Sequence, residues 1–530
     1  MPVRTRYGTV SGCELPAGVT AFKRIRYAQP PVGALRWQAP RPPAAWTGVY
    51  AATEFGPGSL QPRSPEGSIY ADLPQRMSED CLFLNIWTPH VAPAKLPVMV
   101  WIHGGALRIG NLAGGLYDGS QLARRGIVVV TVGYRLGVLG YLAHPELSAE
   151  SAQHSSGNYG LLDQIAALRW IRDNITGFGG DPDNITAFGE SAGALSIIEL
   201  MVSPLARGLF HKAILQSGYL MSNLELGRSS FGQPAAEEVG LALAKQLGAA
   251  DLAALRRMDG GKLTTLATAA GFDPQATIDG WVLPRQVVES FDRGEQAPIP
   301  VIVGFNAGEV RSLRFFLPPL PADAAQYQHL VRQIYGDLAS RYLELYPGPD
   351  IEESALAAAR DGFYGWSAQR LARDQSRLGL PAYLYYFGHE YPAQVGRGLQ
   401  AFHASELPYE FGLIGSRGRL PANWPRPPDE ASERALSEAL MSYFTSFAAS
   451  GAPSAPNEPV WLPYAADRAF LDIVAGCRSS RDLLPGTFAL HEEIVARRRA
   501  AGTQNWYLNV GLASAPVPAG SGDFLRPTPS

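Results

Sequence analysis

Within this 530-residue chain, Gly189-Glu190-Ser191-Ala192-Gly193 is the stretch best suited to covalent chemistry. A serine hydroxyl serves as a nucleophile when the backbone pushes it clear of its neighbours and a base stands beside it. The preceding residues, Asn184-Ile185-Thr186-Ala187-Phe188, are short, β-branched and apolar and read as a strand. Ala194 to Met201 continue as a helix. A G-x-S-x-G between strand and helix is a sharp turn that exposes the serine, with glycines allowing the close strand–helix contact. The N–H of Ala192, at the helix start, is placed to meet a developing oxyanion. Alone, the motif is common enough to be a plain turn, so partners must be found elsewhere.

A serine base is normally histidine, and the histidine needs a carboxylate to fix its tautomer. In one large group of serine hydrolases the chain order is Ser, acid, His, each on a loop after a strand. Glu309 follows the apolar run Val301-Ile302-Val303 through Gly304-Phe305-Asn306-Ala307-Gly308. His403 lies in Ala401-Phe402-His403-Ala404-Ser405-Glu406, after the run ending near Phe387. His389 is the rival base, but it sits at the edge of that run. His103-Gly104-Gly105-Ala106 follows the strand-like Val98 to Ile102 and is a loop type that supplies oxyanion donors.

These residues need a scaffold. Leu96 to His103 and Gly126 to Val132 read as strands buried on both faces, as in a parallel sheet. Val19 to Tyr27, Leu82 to Trp87, Lys212 to Gln216 and Ala382 to Phe387 are further strand candidates. Leu161 to Ile175, with Leu162, Ile165, Leu168 and Ile171 on one stripe, and Ala435 to Ala449 read as helices. The alternation predicts an α/β fold around a mostly parallel sheet. Residues 218–279 and 317–376 are helix-rich, break the alternation, and are expected to cap a site. Residues 1–510 are expected to form one such domain, and 511–530, rich in Pro, Gly and Ser, a loose C-terminal tail.

Composition narrows the function classes. Apolar residues at 46% and charged residues at 18% describe an ordinary globular protein. The net charge of −3 and the lack of a basic stripe argue against nucleic acid as a partner. No stretch reaches membrane-spanning length, and Met1 to Gly8 lack a signal peptide's apolar run, so a cytoplasmic location is expected. Three sparse cysteines, Cys13, Cys81 and Cys477, make neither a disulfide framework nor a metal site, and no cofactor is expected.

The chain resembles the type-B carboxylesterase family, which includes bacterial para-nitrobenzyl esterases, liver carboxylesterases and cholinesterases. The resemblance rests on Glu79-Asp80-Cys81-Leu82, His103-Gly104-Gly105-Ala106, Gly157-Asn158-Tyr159-Gly160, Phe178-Gly179-Gly180-Asp181-Pro182, the serine motif, Gln216-Ser217-Gly218, and His403 to Phe411. It spans about Tyr7 to Tyr464. It implies an α/β-hydrolase fold and ester hydrolysis through an acyl-enzyme. It also implies Ser191 as nucleophile, Glu309 as acid, His403 as base, and oxyanion donors on Gly105, Ala106 and Ala192. Ser217 is a candidate partner of the acid.

The chain also departs from the family. Secreted relatives pair the E-D-C-L cysteine with one about 27 residues upstream, where this chain has Ala52-Thr53-Glu54-Phe55-Gly56, which favours a reducing compartment. Ser68 to Asp72 lack the tryptophan that cholinesterases use for choline, so a quaternary ammonium substrate is disfavoured. Leu107-Arg108 replaces the usual aromatic after the oxyanion loop, and Val310-Arg311 the usual glycine after the acid. Leu107, Arg108, Arg311, Phe315 and Phe316 are the expected residues of the substrate pocket, with Leu107, Phe315 and Phe316 as its apolar walls. Arg108, Arg311 and Arg314 flank the catalytic loops. Their ordinary reading is a solvated face, and the sharper one is recognition of an acyl group bearing free carboxylates. The expected partner is a small, apolar ester. A carbamate or amide hydrolase would use the same triad, and a non-catalytic adhesion member would have lost the serine that this chain keeps. Monomer and dimer both remain open.

Overall fold

The strand candidates assemble into an eleven-stranded sheet. In a computed structural model that describes residues 2–520 except 73, 75, 92, 417, 418, 508 and 509, these strands are β1 (Cys13–Glu14), β2 (Thr20–Arg26), β3 (Phe83–Thr88), β4 (Leu96–Ile102), β5 (Val128–Val132), β6 (Gly180–Glu190), β7 (Lys212–Gln216), β8 (Val301–Asn306), β9 (Ala382–Phe387), β10 (Ala469–Ile473) and β11 (Cys477–Arg481). Their spatial order is β11-β10-β9-β8-β7-β6-β4-β5-β3-β2-β1. From β5 through β10 every pairing is parallel, and the pairs beyond either end are antiparallel.

The side-chain alternation of β4 shows why the centre is parallel. Val98, Val100 and Ile102 enter one apolar cluster, while Met99 and Trp101 enter another on the opposite face. A strand apolar on both sides must be covered on both sides, which crossover helices do. Helix α1 (Tyr159–Asn174) and helix α2 (Ala192–Val202) flank β6. The last two strands were not legible in sequence: β11 reads Cys-Arg-Ser-Ser-Arg and is a largely exposed antiparallel edge, without an apolar alternation.

The stretches 218–279 and 317–376 hold several helices. The first contains α3 (Ala236–Gln246), α4 (Leu252–Arg257) and α5 (Gly260–Ala269). The second contains α6 (Ala324–Tyr335), α7 (Ala339–Leu345), α8 (Ile351–Arg360) and α9 (Trp366–Arg377). Asp259, Asp323 and Asp350 cap α5, α6 and α8 by accepting from a backbone N–H three residues on. Helices α8 and α9 run on through a π turn, Asp361–Gly365. Later come α10 (Leu407–Glu410), α11 (Ala431–Ser450) and α12 (Thr487–Ala501).

The expectation of a loose tail from residue 511 is corrected over its first part. Leu512 is buried with the α6 cluster, Tyr335 donates to the Gly511 carbonyl at 2.7 Å, and Val517 N–H donates to Ile334 at 2.7 Å. Apolar Leu512 and Val517 anchor a segment whose Pro and Gly content suggested none. Residues 521–530 lie outside the described residues. Among the described residues no helix is long and apolar enough to cross a membrane.

Candidate active site

Parallel strands deliver their following loops to one edge of the sheet, where sites of α/β folds form. Here β4 leads to Gly104–Ala106, β6 to Ser191, β8 to Glu309, and the connection after β9 to His403. Ser191 has φ 57° and ψ −125°, a conformation costly for a non-glycine residue. The glycines around it make this turn possible. A Cβ on Gly193 would stand 2.0 Å from the Ile102 carbonyl oxygen, and one on Gly189 2.6 Å from the same atom. The Ser191 N–H donates to Gln216 O at 2.9 Å, tying the turn to β7.

His403 and Glu309 meet because their loops pair. Gly308 forms a parallel bridge with Phe402, and its N–H donates to Ala401 O at 2.8 Å. Nδ1 of His403 is hydrogen-bonded to Oε2 of Glu309. Oε1 of Glu309 accepts from Ser217 Oγ at 2.6 Å and from the Asn306 N–H at 2.8 Å. These donors fix a fully buried carboxylate. Tyr70 Oη donates to the His403 carbonyl at 2.9 Å and lies 2.7 Å from Ser312 Oγ. His389 is engaged elsewhere, with Nε2 2.9 Å from Glu433, and does not reach Ser191's site.

Nε2 of His403 does not bond to Ser191. It lies 2.9 Å from Oε1 of Glu190, close but not aligned as a hydrogen bond. Burial disfavours the imidazolium, but the charges of Glu190 and Glu309 outweigh it and hold His403 well above the ordinary histidine range. Ser191 Oγ has no hydrogen-bond partner among the described residues and faces the cavity.

The loop after β4 turns tightly. Gly105 has φ 103°, and its carbonyl accepts from both Arg108 and Ile109 N–H at 3.0 Å. The N–H groups of Gly105 and Ala106 have no protein acceptor among the described residues, and Ala192, first in α2, has none within its helix. His103 supports this loop from behind. Its ring stacks on Tyr134 at 4.5 Å, and burial pushes its pKa down to about 4, so it is a neutral packing group.

Ser191, Glu190, His403, Gly104, Gly105 and Ala106 line one cavity of about 750 Å3. Its wall includes an aromatic track: Phe315 to Phe316 (4.4 Å between centroids), Phe316 to Phe363 (5.2 Å), Phe363 to Tyr364 (4.8 Å), and Tyr364 to the His403 ring (5.3 Å). The track runs from Phe315, which is 77% exposed, to the buried imidazole. Phe363 and Tyr364 come from the π turn between α8 and α9.

Two expected wall residues lie elsewhere. Leu107 is buried in the core cluster and is not on the cavity wall. Arg311 bonds to Gln400 at 2.8 Å and pairs with Glu353 at the start of α8, and Arg314 pairs with Glu352. Both arginines are drawn to acidic residues at a helix N-terminus, away from the cavity. Arg108 does line the cavity, neutralised by Asp273 at 2.7 Å. Glu190, Tyr70, Tyr364, Tyr219 and Tyr507 were not anticipated as site residues. Glu190 alone had a signal, its place inside the serine motif.

A model of the Carboxylesterase family matches residues 1–483. A fumonisin B1 esterase from Sphingopyxis macrogoltabida is 38% identical over 473 residues, covering 86% of this chain and 83% of that protein. The para-nitrobenzyl esterase of Bacillus subtilis strain 168 is 36% identical over 480 residues, covering 89% of this chain and 94% of its own length. A solved PNB esterase structure matches with a TM-score of 0.78 at 32% identity, over 92% of this chain and 99% of that one. The parallel sheet, the strained serine turn and these likenesses agree: the chain belongs to the carboxylesterase family, hydrolases of ester bonds on the α/β-hydrolase fold.

Proposed function

We propose that Ser191 is the nucleophile, His403 the general base and acid, and Glu309 the residue that orients and stabilises the imidazolium. The observation that carries this reading is the meeting of the Glu309–His403 pair and the strained Ser191 turn at one cavity. Nε2 of His403 shifts from Glu190 toward Ser191 Oγ and takes its proton as Oγ attacks the ester carbonyl. The N–H groups of Gly105, Ala106 and Ala192 receive the oxyanion. His403 then protonates the leaving alcohol, and water repeats the cycle on the acyl-enzyme.

The aromatic track supports an apolar or aryl ester as substrate, packed between Ser191 and the rim at Phe315. The stretches 218–279 and 317–376 act as its cap: Tyr219 and Asp273 come from the first, Phe363 and Tyr364 from the second. The pairing of Arg108 with Asp273, and of Arg311 and Arg314 with Glu353 and Glu352, supports the ordinary role for these cations over recognition of an acidic acyl group. The free thiols Cys13, Cys81 and Cys477 support a reducing, cytoplasmic setting.

A fluorophosphonate probe followed by intact-mass and peptide analysis tests the assignment. One adduct on Ser191, lost in Ser191→Ala together with turnover of a para-nitrophenyl ester, is the expected result. Full turnover by pure Ser191→Ala protein would overturn it. A panel of matched esters, carbamates and amides then orders the three leaving-group chemistries.

A further inference from the structure

Glu406 and Glu410 stand beside the triad but outside the substrate cavity. With Tyr385, Phe387, Leu440 and Phe444 they line a separate void of about 10 Å3, the lower limit for one water molecule. The two carboxyls have unequal surroundings. Glu406 accepts from Asn306 Nδ2 and, at 3.3 Å, from Gln216 Nε2. Glu410 is 1% exposed, and apart from the nearby Gln216 amide its carboxyl oxygens have no well-formed hydrogen bond among the described residues. A carboxylate left bare beside Phe387, Leu440 and Phe444 is strongly disfavoured. Burial raises both carboxyls, Glu406 to about 8, and the charge of Glu406 raises Glu410 further.

The titratable groups that face Glu410 are Glu406 on its own helical turn, Tyr385 on β9 and, by its charge, Glu190 at the end of β6. Tyr385 Oη is also without a hydrogen-bond partner among the described residues. Gln216 reaches in from β7, while α11 and β10 contribute only apolar groups. The link to the triad is direct. Asn306 Nδ2 holds both Glu406 and the Phe402 carbonyl, and the Asn306 N–H holds Glu309.

We propose that Glu410 is a positioning residue, a neutral acid that donates its proton to the Glu406 carboxylate, directly or through one water. Glu406 thereby ionises before Glu410, and at lower pH than its burial alone would allow, and its negative charge then falls on the network that joins Asn306, Glu309 and His403. This rests on the assignment of His403 as the base of Ser191, and it adds a residue that touches no substrate.

The experiment measures the rate of fluorophosphonate labelling at Ser191 against pH for the full chain, for Glu410→Gln and for Glu410→Met, with thermal unfolding of each. Glu410→Gln keeps a neutral donor, so the acid limb is expected to stay in place. Glu410→Met removes the donor, Glu406 then keeps its own proton, and the limb is expected to move about one unit to lower pH. Equal downward moves in both variants would overturn the proposal by showing Glu410 charged. An unmoved limb in both, with only the unfolding temperature lowered, would overturn it by showing packing alone. Where Glu410→Met does not fold, Glu410→Leu takes its place as the variant without a donor, and a lowered limb in Glu410→Gln by itself refutes the neutral acid. Failure of the full chain to label at Ser191 would instead refute the triad.

Discussion

Nε2 of His403 lies 2.9 Å from the carboxylate of Glu190, the residue immediately before Ser191. The imidazole therefore stands between two carboxylates, Glu309 on Nδ1 and Glu190 on Nε2. Gly104 makes room for this arrangement, since a Cβ there would come within 2.6 Å of the Glu190 carbonyl and 2.9 Å of its side chain. On the proposed assignment, Glu309 orients the ring through its bond to Nδ1. On that assignment, Glu190 stands against the nitrogen that must take the Ser191 proton.

Glu190→Gln should move the acid limb of kcat/KM to lower pH. Both carboxylates favour the imidazolium, so His403 becomes a free base only above the ordinary histidine range, and activity rises through that higher pH. Removing one charge should lower the limb by about one unit or more. An unchanged limb in a pH-rate profile would mean that Glu190 does not act on His403.

Phe363→Ala should separate substrates by size. Phe363 joins Phe316, next to the exposed Phe315, to Tyr364 beside His403. Losing its ring contacts should lower kcat/KM for an aryl-acyl para-nitrophenyl ester about tenfold, while the acetate ester changes little. Equal losses for both esters would place Phe363 in general packing.

Gly193→Ala should cripple the fold at the serine turn. Its Cβ would stand 2.0 Å from the Ile102 carbonyl oxygen, a backbone atom that cannot rotate away. A loss of about 3 kcal/mol or more is expected by denaturant unfolding. Gly227→Ala is the control, since the nearest atom to its Cβ would be 3.7 Å away.

Glu199→Gln should stabilise the protein increasingly as pH rises. Glu199 sits on α2, buried, with Asn223 on Oε1 and no partner on Oε2. Burial raises its pKa from 4.5 to about 8, against the lowering effect of Asn223. The folded chain keeps this proton where the unfolded chain releases it. Stability is therefore greatest below pH 4.5 and falls as pH climbs toward about 8. The variant's advantage should grow by up to about 1.4 kcal/mol per pH unit across that window. A difference independent of pH, read from unfolding curves at several pH values, would show that Glu199 is not protonated in the fold.

Much of the site was readable from residue order because its parts are local. A strand, a G-x-S-x-G turn and a helix are set by short-range backbone preferences, and Ser191 is found where they place it. Glu309 and His403 were legible because parallel strands send their following loops to one edge, whatever the distance between them in sequence. Strand β9, Ala382–Phe387, appears with the bounds its apolar run predicts. Strand β11 was invisible, since an exposed edge needs no apolar pattern.

The cavity wall was not readable in this way. Phe315 and Phe316 were expected on it and are there, but Leu107 turns into the core and Arg311 is drawn to Glu353. Tyr364 reaches His403 from a π turn some 39 residues upstream, and Tyr507 approaches from beyond the matched family region. By itself, the sequence determined the serine turn, the order of its partners and the parallel sheet, because strand patterning and turn strain act over a few residues. Tertiary structure alone decided that Glu190 stands beside the imidazole, that Glu410 is buried beside Glu406, and which aromatic rings line the cavity. Those relations depend on packing between distant elements, where a side chain's direction is set by its neighbours in space.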